Sequence, residues 1–205
     1  MMVLGITGSI ASGKSSVSRL LQDRGAALIS ADQLAREVVQ PGSSTLARLV
    51  ERFGPGILQV DGTLDRARLG ELIFAEPAAR HDLNDITHPA IASLAIERLQ
   101  QLRQAGHALV VYEAPLLFEA GAEGRVDKVL VVKIDPGEQL RRLMLRDGID
   151  EAAARRRIAA QMPQEEKLAR ADYVIDNSGT PKETERQVTL LWPLLTTKSE
   201  LRPEN

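Results

Sequence analysis

The chain has 205 residues and a formal net charge of −2, and this length fits one domain or one core with a large insertion. The near balance of charges excludes a globally basic nucleic-acid binder, because duplex binding depends on many contacts of lysine and arginine with phosphates. Cysteine is absent, which excludes disulfides, thiol nucleophiles and cysteine-ligated zinc. No apolar run reaches the roughly 18 residues of a membrane span, and the N-terminus lacks the basic start of a signal peptide. We therefore expect a cytoplasmic protein with neither nucleic acid nor membrane as a partner.

Five short apolar runs predict the strands of a parallel sheet. They lie at residues 3–7, 26–30, 109–112, 129–134 and 173–175. Helical patterns separate them, and near-continuous aliphatic strands of this kind are typical of a sheet covered by helices on both faces. The gap over residues 32–107 carries several amphipathic helical patterns, which predict a helical insertion that closes over a ligand.

The most specific motif is the glycine-rich segment between the first apolar run and the first helical pattern. Residues 8–15 read Gly-Ser-Ile-Ala-Ser-Gly-Lys-Ser and fit G-x-x-x-x-G-K-[ST]. In this motif the backbone amides and the helix N-terminus hold phosphates, the lysine reaches the β and γ phosphates, and the serine hydroxyl binds Mg²⁺. The strand before it and the helix after it favour this function over a chance glycine-rich turn. The residues predicted to bind the nucleotide are Ile10, Ala11, Ser12, Gly13, Lys14 and Ser15, with Lys14 catalytic and Ser15 a metal ligand.

Two carboxylates follow predicted strands, at the sheet edge where ligands gather in open parallel sheets. Asp32 lies just beyond the second run. It either accepts the proton of an acceptor hydroxyl or caps a helix predicted over residues 33–39. Glu113 ends the third run and either holds Mg²⁺, directly or through water, or is a solvated strand end.

The segment over residues 136–171 is rich in arginine. Arg142 and Arg146 are four residues apart and share a helix face. They either neutralise the charge of a transferring phosphoryl group from a mobile lid or belong to a solvated basic face. The solvated face is our interpretation of Arg155 and Arg156.

One histidine is a further candidate. His88 precedes Pro89, and proline suits the first turn of a helix, so we predict a helix that begins there and runs to about Gln104. His88 would then either contact a ligand or form a structural hydrogen bond near the helix start.

Taken together, these segments resemble the dephospho-coenzyme A kinase family. The matching segments are residues 5–8, 30–32, 35–39, 41–42, 83–84, 88–89, 115–119, 139–140, 142–143 and 171–179, together with Arg146, Arg157 and Gln161. The phosphate loop is shared with many families, whereas Pro-Leu-Leu-Phe-Glu at 115–119 and Ala-Asp-Tyr-Val-Ile-Asp-Asn-Ser-Gly at 171–179 are much more specific. The resemblance covers the chain to about residue 195.

The resemblance implies an activity and an architecture. The activity is the ATP-dependent phosphorylation of the ribose 3′-hydroxyl of dephospho-coenzyme A, the last step of coenzyme A synthesis, with Mg²⁺. The architecture is an α/β fold of the P-loop kinase type, a three-layer sandwich around a five-stranded parallel sheet. It forms a single domain over 1–205, with a helical acceptor-binding subdomain at about 63–103 and a lid at about 137–165. The oligomeric state is open, and a monomer is favoured.

The resemblance also implies roles for individual residues. Asp32 would be the base or the group that orients the acceptor hydroxyl, and Arg142 would act on the transferring phosphate. Arg146 and Asn177 would contact ATP. The predicted acceptor-binding residues are Asp32, Arg66, His88 and Glu113, and Glu113 would also share the metal with Ser15.

Two departures from the family stand in the phosphate loop. The family commonly has glycine where this chain has Ser9 and Ala11, and a β-carbon is costly at either position if its φ angle is positive. A third departure is Ser30, where the family usually has aspartate, so the catalytic role is assigned to Asp32 alone.

Two other functions are compatible with the phosphate loop. One is a kinase of another nucleotide or nucleoside, which a panel of acceptors would reveal. The other is a P-loop regulatory ATPase, which would hydrolyse ATP without an acceptor. A G protein is disfavoured, because the sequence has no N-K-x-D base-recognition motif.

Overall fold

The computed structural model describes residues 1–197, apart from the side chains of residues 74, 75 and 77. The chain divides into two compact units. The sheet unit contains residues 1–29 and the chain from residue 101 onwards, and the helical unit contains residues 30–100. The predicted domain extends to residue 205, and its last segment, 198–205, lies outside the described residues.

Five strands and nine α-helices are found in the described residues. The strands are β1 (Met2–Thr7), β2 (Ala27–Ser30), β3 (Leu109–Glu113), β4 (Lys128–Lys133) and β5 (Tyr173–Asp176). The helices are α1 (Lys14–Gln22), α2 (Ala31–Glu37), α3 (Ser44–Phe53), α4 (Arg66–Ala75), α5 (Pro77–Gln104), α6 (Pro136–Asp147), α7 (Glu151–Ala159), α8 (Gln164–Ala169) and α9 (Pro181–Thr196). None of these helices is both long enough and apolar enough to cross a membrane.

The strands form one sheet in the order β2-β3-β1-β4-β5. β1 lies at its centre and pairs in parallel with β3 and with β4. The register places Ile6 of β1 opposite Glu113 of β3, so both strands end at the same edge of the sheet. The predicted α/β fold with a five-stranded parallel sheet is confirmed, because each aliphatic run of the sequence forms a strand.

The core of the sheet unit joins the central strands to α1 and α9. Leu4, Ile6 and Leu130 are fully buried and pack with Val17 of α1 and Val188 of α9. Burial of each such side chain contributes about 1.5–3 kcal/mol. This core fixes the end of β1 and the start of α1, the two elements that flank the phosphate loop.

The helical unit has a separate apolar core, built from α3, α4, α5 and the segments that follow α2 and α3. Its buried members include Val39, Leu49, Ile57, Leu69 and Ile86. The unit spans residues 30–100, whereas the predicted acceptor-binding subdomain spans about 63–103, and this core includes Val39, just after α2, and Leu49 of α3. An acceptor-binding role for the unit stays a prediction.

The predicted start of a helix at Pro89 is wrong. α5 begins at Pro77, so His88 and Pro89 lie inside a continuous helix. Proline lacks the N–H that would bond to the Asp85 carbonyl. Ile86 and Ala95 are buried on either side of this position, so the helix is packed against its unit both before and after the proline.

The capping role considered for Asp32 is also wrong. α2 begins at Ala31, and the Ser30 side chain accepts a hydrogen bond from the Gln33 amide at 3.3 Å. Ser30 is therefore the N-cap, and the exposed Asp32 lies in the first helical turn.

Candidate active site

The loop between β1 and α1 is shaped by two glycines in close contact with other parts of the unit. A β-carbon at Gly8 would collide with the Val132 carbonyl of β4. Gly13 caps α1 with a φ angle of 87°, and a β-carbon there would collide with the Asn177 carboxamide. Only glycine satisfies these two positions, so the loop packs directly against β4 and the segment after β5.

Ala11 is the one residue other than glycine with a positive φ angle in the described chain, at 60°. Of the two departures noted in the sequence, Ala11 therefore carries the backbone strain, and Ser9 does not. The left-handed conformation costs an L-residue roughly 1–2 kcal/mol. Such strain persists only where the surrounding structure holds the residue in place.

Lys14 folds back over the loop. Its Nζ donates to the carbonyl oxygens of Gly8 and Ser9, both at 3.0 Å, and the residue is only 8% exposed. The ammonium group is thereby held beside the loop amides, where a bound phosphate chain would meet it.

Ser15 and Glu113, the two predicted metal ligands, lie next to each other. The Ser15 hydroxyl donates to Glu113 Oε1 at 3.0 Å. The register of β1 with β3 explains this contact, because Glu113 ends β3 at the edge of the sheet where the loop begins. A hydroxyl and a carboxylate are the hard oxygen ligands that Mg²⁺ prefers, and phosphate and water oxygens would complete its octahedron.

Asn177 links the loop to α9 across buried hydrogen bonds. Its Nδ2 donates to the Ser12 carbonyl at 2.8 Å, and its Oδ1 accepts from the Thr184 hydroxyl at 2.6 Å. Both ends of the carboxamide are thus engaged by the protein, and the residue is 7% exposed. The Ser12 hydroxyl is buried without a hydrogen-bond partner in the described part of the chain.

Arg142 lies on α6 with its guanidinium close to Gly13. Its Nε donates to Glu138 Oε1 at 2.7 Å, and Arg141 binds the same carboxylate. Hydrogen bonds from Arg141 and then Arg142 lower the pKa of Glu138 to about 2, so this carboxylate is charged at neutral pH and orients Arg142.

Three other arginines of this segment face solvent with acidic partners, and Arg156 is exposed as well. Arg146 pairs with Asp147 at 2.7 Å, and Arg157 reaches the same carboxylate at 2.6 Å. Hydrogen bonding to Asp147 raises the pKa of Arg146. Arg155 forms an exposed ion pair with Glu151, as expected of a solvated face.

A cavity of about 510 Å³ opens beside the phosphate loop within the sheet unit. Its lining residues are Ser15, Ser16, Arg19, Leu20, Asp23, Arg142, Asn177, Gly179, Pro181, Thr184 and Glu185. The structure therefore brings Ser15, Arg142 and Asn177 together around one space, whereas Arg146 is not among the described residues that line it.

The remaining candidates belong to the helical unit. Asp32, Arg66 and His88 are all exposed and lie on α2, α4 and α5 respectively. Arg66 is the first residue of α4 and borders an apolar cavity of about 210 Å³ in this unit.

Several residues that hold the site together were not assigned a role from the sequence. The Thr184 hydroxyl binds Asn177, and Gln139 and Gln161 both contact the Ile10 backbone. Gln139 carried one signal, since it shares the buried face of α6 with Leu143 at a spacing of four residues. Thr184 carried none.

Comparison with known proteins identifies the family. The family model described as dephospho-CoA kinase (CoaE) matches residues 2–183 of the chain. The chain belongs to the dephospho-CoA kinase family. The resemblance inferred from the sequence is therefore confirmed.

Individual relatives support this family. A dephospho-CoA kinase of Syntrophotalea carbinolica is 58% identical over 191 residues, which cover 93% of this chain and 90% of that protein. The solved structure of TT1252 from Thermus thermophilus has a TM-score of 0.80 and 37% identity, covering 95% of this chain and 98% of its own. A dephospho-CoA kinase from Campylobacter jejuni has a TM-score of 0.73 and 31% identity over 95% of this chain and 96% of its own.

Proposed function

We propose that this protein transfers the γ-phosphoryl group of ATP to the ribose 3′-hydroxyl of dephospho-coenzyme A and so forms coenzyme A. Membership of the dephospho-CoA kinase family supports the choice of substrates. The single observation that carries the proposal is the phosphate loop with its hydroxyl–carboxylate pair, in which Ser15 donates to Glu113 at 3.0 Å beside the start of α1.

The sheet unit would bind the nucleotide. The loop amides and the N-terminus of α1 hold the phosphates, and the cavity beside Asn177 and Gly179 has room for the nucleoside. Ser15 and Glu113 would hold Mg²⁺, which neutralises phosphate charge when bound. Arg146 lies one helical turn beyond Arg142, and we retain it as an ATP contact of the lid.

In the reaction, the 3′-oxygen of the acceptor attacks the γ-phosphorus in line, and the bond from that phosphorus to the bridging oxygen of ADP breaks. In this proposal Asp32 accepts the proton of the acceptor hydroxyl, because it is an exposed carboxylate that does not cap its helix. Lys14 and Arg142 stabilise the charge on the equatorial oxygens. Arg66 and His88 are assigned to acceptor binding, with Glu113 at the edge of the sheet.

The test is product analysis by mass spectrometry after incubation with ATP, Mg²⁺ and dephospho-coenzyme A. We expect one added phosphoryl group on the acceptor and an equal amount of ADP. The 3′-deoxy analogue of the acceptor is the matched control and should stay unmodified.

Three outcomes would contradict the proposal. One is phosphorylation of the 3′-deoxy analogue. Another is phosphorylation of a nucleoside monophosphate while dephospho-coenzyme A is ignored, which would indicate a different kinase. The third is ATP hydrolysis that is independent of any acceptor while dephospho-coenzyme A stays unmodified, which would indicate a regulatory ATPase.

We also propose that the protein is a cytoplasmic monomer that binds no nucleic acid. The absence of cysteine supports the cytoplasmic location, and the near balance of charges, with a net charge of −2, supports the lack of nucleic-acid binding; the monomer is the state that we favour without a structural observation. Light scattering after gel filtration measures the mass, and a dimeric mass would contradict the monomer.

A further inference from the structure

The Ile10 backbone is bound from both sides by two glutamine side chains. The Ile10 N–H donates to Gln161 Oε1 at 2.7 Å, and Gln139 Nε2 donates to the Ile10 carbonyl at 2.9 Å. Both glutamines lie within the segment predicted as the lid, residues 137–165. One loop residue is therefore tied to two separate points of that segment.

The two glutamines are held firmly in different ways. Gln139 lies on the buried face of α6 and is 6% exposed, so its amide must find a partner inside the protein. Gln161 lies just beyond the end of α7 and is half-buried. Its neighbour Met162 donates its backbone N–H to Glu119 Oε1 at 3.3 Å.

An ion pair between a buried lysine and Glu119 supports this second anchor. Lys167 of α8 is fully buried and pairs with Glu119 at 2.8 Å. Its Nζ also donates to the Pro115 carbonyl at 3.0 Å, and the same carbonyl accepts from the Thr7 hydroxyl at 3.1 Å. Since Thr7 ends β1, the segment that carries Gln161 is braced against the strand that leads into the phosphate loop.

The residue that follows Ile10 explains why this backbone needs support. Ala11 has a φ angle of 60°, a conformation that is unfavourable for a residue with a β-carbon. The Ile10 carbonyl belongs to the peptide bond that enters Ala11. A strained residue of this kind keeps its conformation only when neighbouring contacts fix it.

We propose that Gln139 and Gln161 are positioning residues that hold the Ile10 backbone and thereby keep Ala11 in the left-handed conformation that shapes the phosphate loop. Neither glutamine has to touch the nucleotide in this role. Their contacts also couple the loop to the lid segment, so displacement of that segment would release the loop. The consequence for ATP binding rests on the proposed function, whereas the effect on the Ile10 amide does not.

Hydrogen exchange of the Ile10 amide, followed by NMR, tests the contact directly in the full chain. Gln161→Ala removes the acceptor, and we expect exchange to become at least about tenfold faster. Gln161→Glu keeps an acceptor oxygen and should retain slow exchange. Unchanged exchange in Gln161→Ala would overturn the proposal.

The binding of ATP with Mg²⁺, measured by calorimetry, tests the positioning role. Gln139→Ala and Gln161→Ala should each raise the Kd roughly three- to tenfold, the value of one hydrogen bond. Gln139→Glu should do the same, because it places an oxygen against the Ile10 carbonyl. In the Gln139→Ala background, Ala11→Gly should restore the Kd to within about twofold of the parent, since glycine adopts the left-handed conformation without strain.

The control is Gln40→Ala. Gln40 lies in the helical unit, outside both the loop and the lid segment, and its Nε2 donates to the Arg36 carbonyl at 3.0 Å, so this variant also removes one hydrogen bond from a glutamine to a backbone carbonyl. We expect this variant to leave the Kd unchanged. An equal rise in Kd in this control, or no rescue by Ala11→Gly, would reduce the two glutamines to a general structural role and overturn the proposal. Failure of the parent protein to bind ATP would refute the proposed function instead. The exchange rates of the Ile10 amide would still show whether Gln161 holds the Ile10 backbone.

Discussion

The sheet unit and the helical unit present their candidate residues in opposite ways. Around the phosphate loop, Lys14, Asn177 and Arg142 all have protein partners, which fix each side chain before any ligand arrives. In the helical unit, Asp32 and His88 are exposed on separate helices. No hydrogen bond or ion pair of the Asp32 side chain is found among the described residues.

This difference indicates that the two units have different roles in binding. Donors that are already in place bind a charged group without a free-energy cost for reorienting side chains, which suits the phosphates of a nucleotide. Exposed side chains gain partners only when a ligand provides them, which suits an acceptor. Substitutions in the two units should therefore separate nucleotide affinity from turnover.

The largest expected effect comes from Asp32→Asn. The carboxamide cannot accept the proton of the acceptor hydroxyl, so kcat should fall by about 10²- to 10⁴-fold. The Kd for ATP should stay within about twofold of the parent, because the loop contacts lie in the other unit. Steady-state kinetics and calorimetry measure the two quantities.

Asp85→Asn is the matched control for this prediction. It removes the same charge from the same unit, at a side chain that is 65% exposed and paired only with His81 among the described contacts. It should leave kcat unchanged. Near-normal turnover in Asp32→Asn would make Asp32 a surface carboxylate in the first turn of α2.

A somewhat smaller loss of turnover is expected from Lys14→Ala, but with weaker nucleotide binding as well. Removal of the ammonium group takes away a charge that acts on both bound ATP and the transition state, so kcat should fall by about 10²- to 10³-fold. The Kd for ATP should rise in the same variant. Lys182→Ala, an exposed lysine of α9, is the control and should behave like the parent. If Lys14→Ala retains the ATP affinity of the parent, the proposal that the sheet unit determines nucleotide affinity is wrong.

The strands and the loop could be predicted because their signals are contiguous in the sequence. Each aliphatic run became a strand, and residues 8–15 contain the whole phosphate loop. The start of α5 was misplaced because proline favours a first turn over a helix interior, and Pro77 and Pro89 both carry that signal although only Pro77 begins the helix. The helical patterns over residues 32–107 predicted a helical insertion, and the structure groups residues 30–100 into one unit.

The supporting contacts of the site could not be predicted because they join distant parts of the chain. Gln139 and Gln161 bind Ile10 from 129 and 151 residues away. Asn177 was expected to contact ATP, and it lines the cavity beside the loop, but its buried bond to the Ser12 carbonyl depends on the packing of β5 and α9 beside the loop. Only tertiary structure brings such partners together.

The smallest expected effect concerns stability rather than catalysis. Ala11→Gly removes the β-carbon from a left-handed residue, so the free energy of unfolding should rise by about 1 kcal/mol. For a chain of this length, that gain corresponds to a rise in Tm of about 2–4 °C, measurable by calorimetry. Ala160→Gly is the control, because Ala160 has a φ angle of −78° and glycine there only adds freedom to the unfolded chain. The Tm of Ala160→Gly should fall. If the Tm of Ala11→Gly falls as well, the φ angle of Ala11 carries no strain, and the conformation of the loop then costs the folded protein no stability.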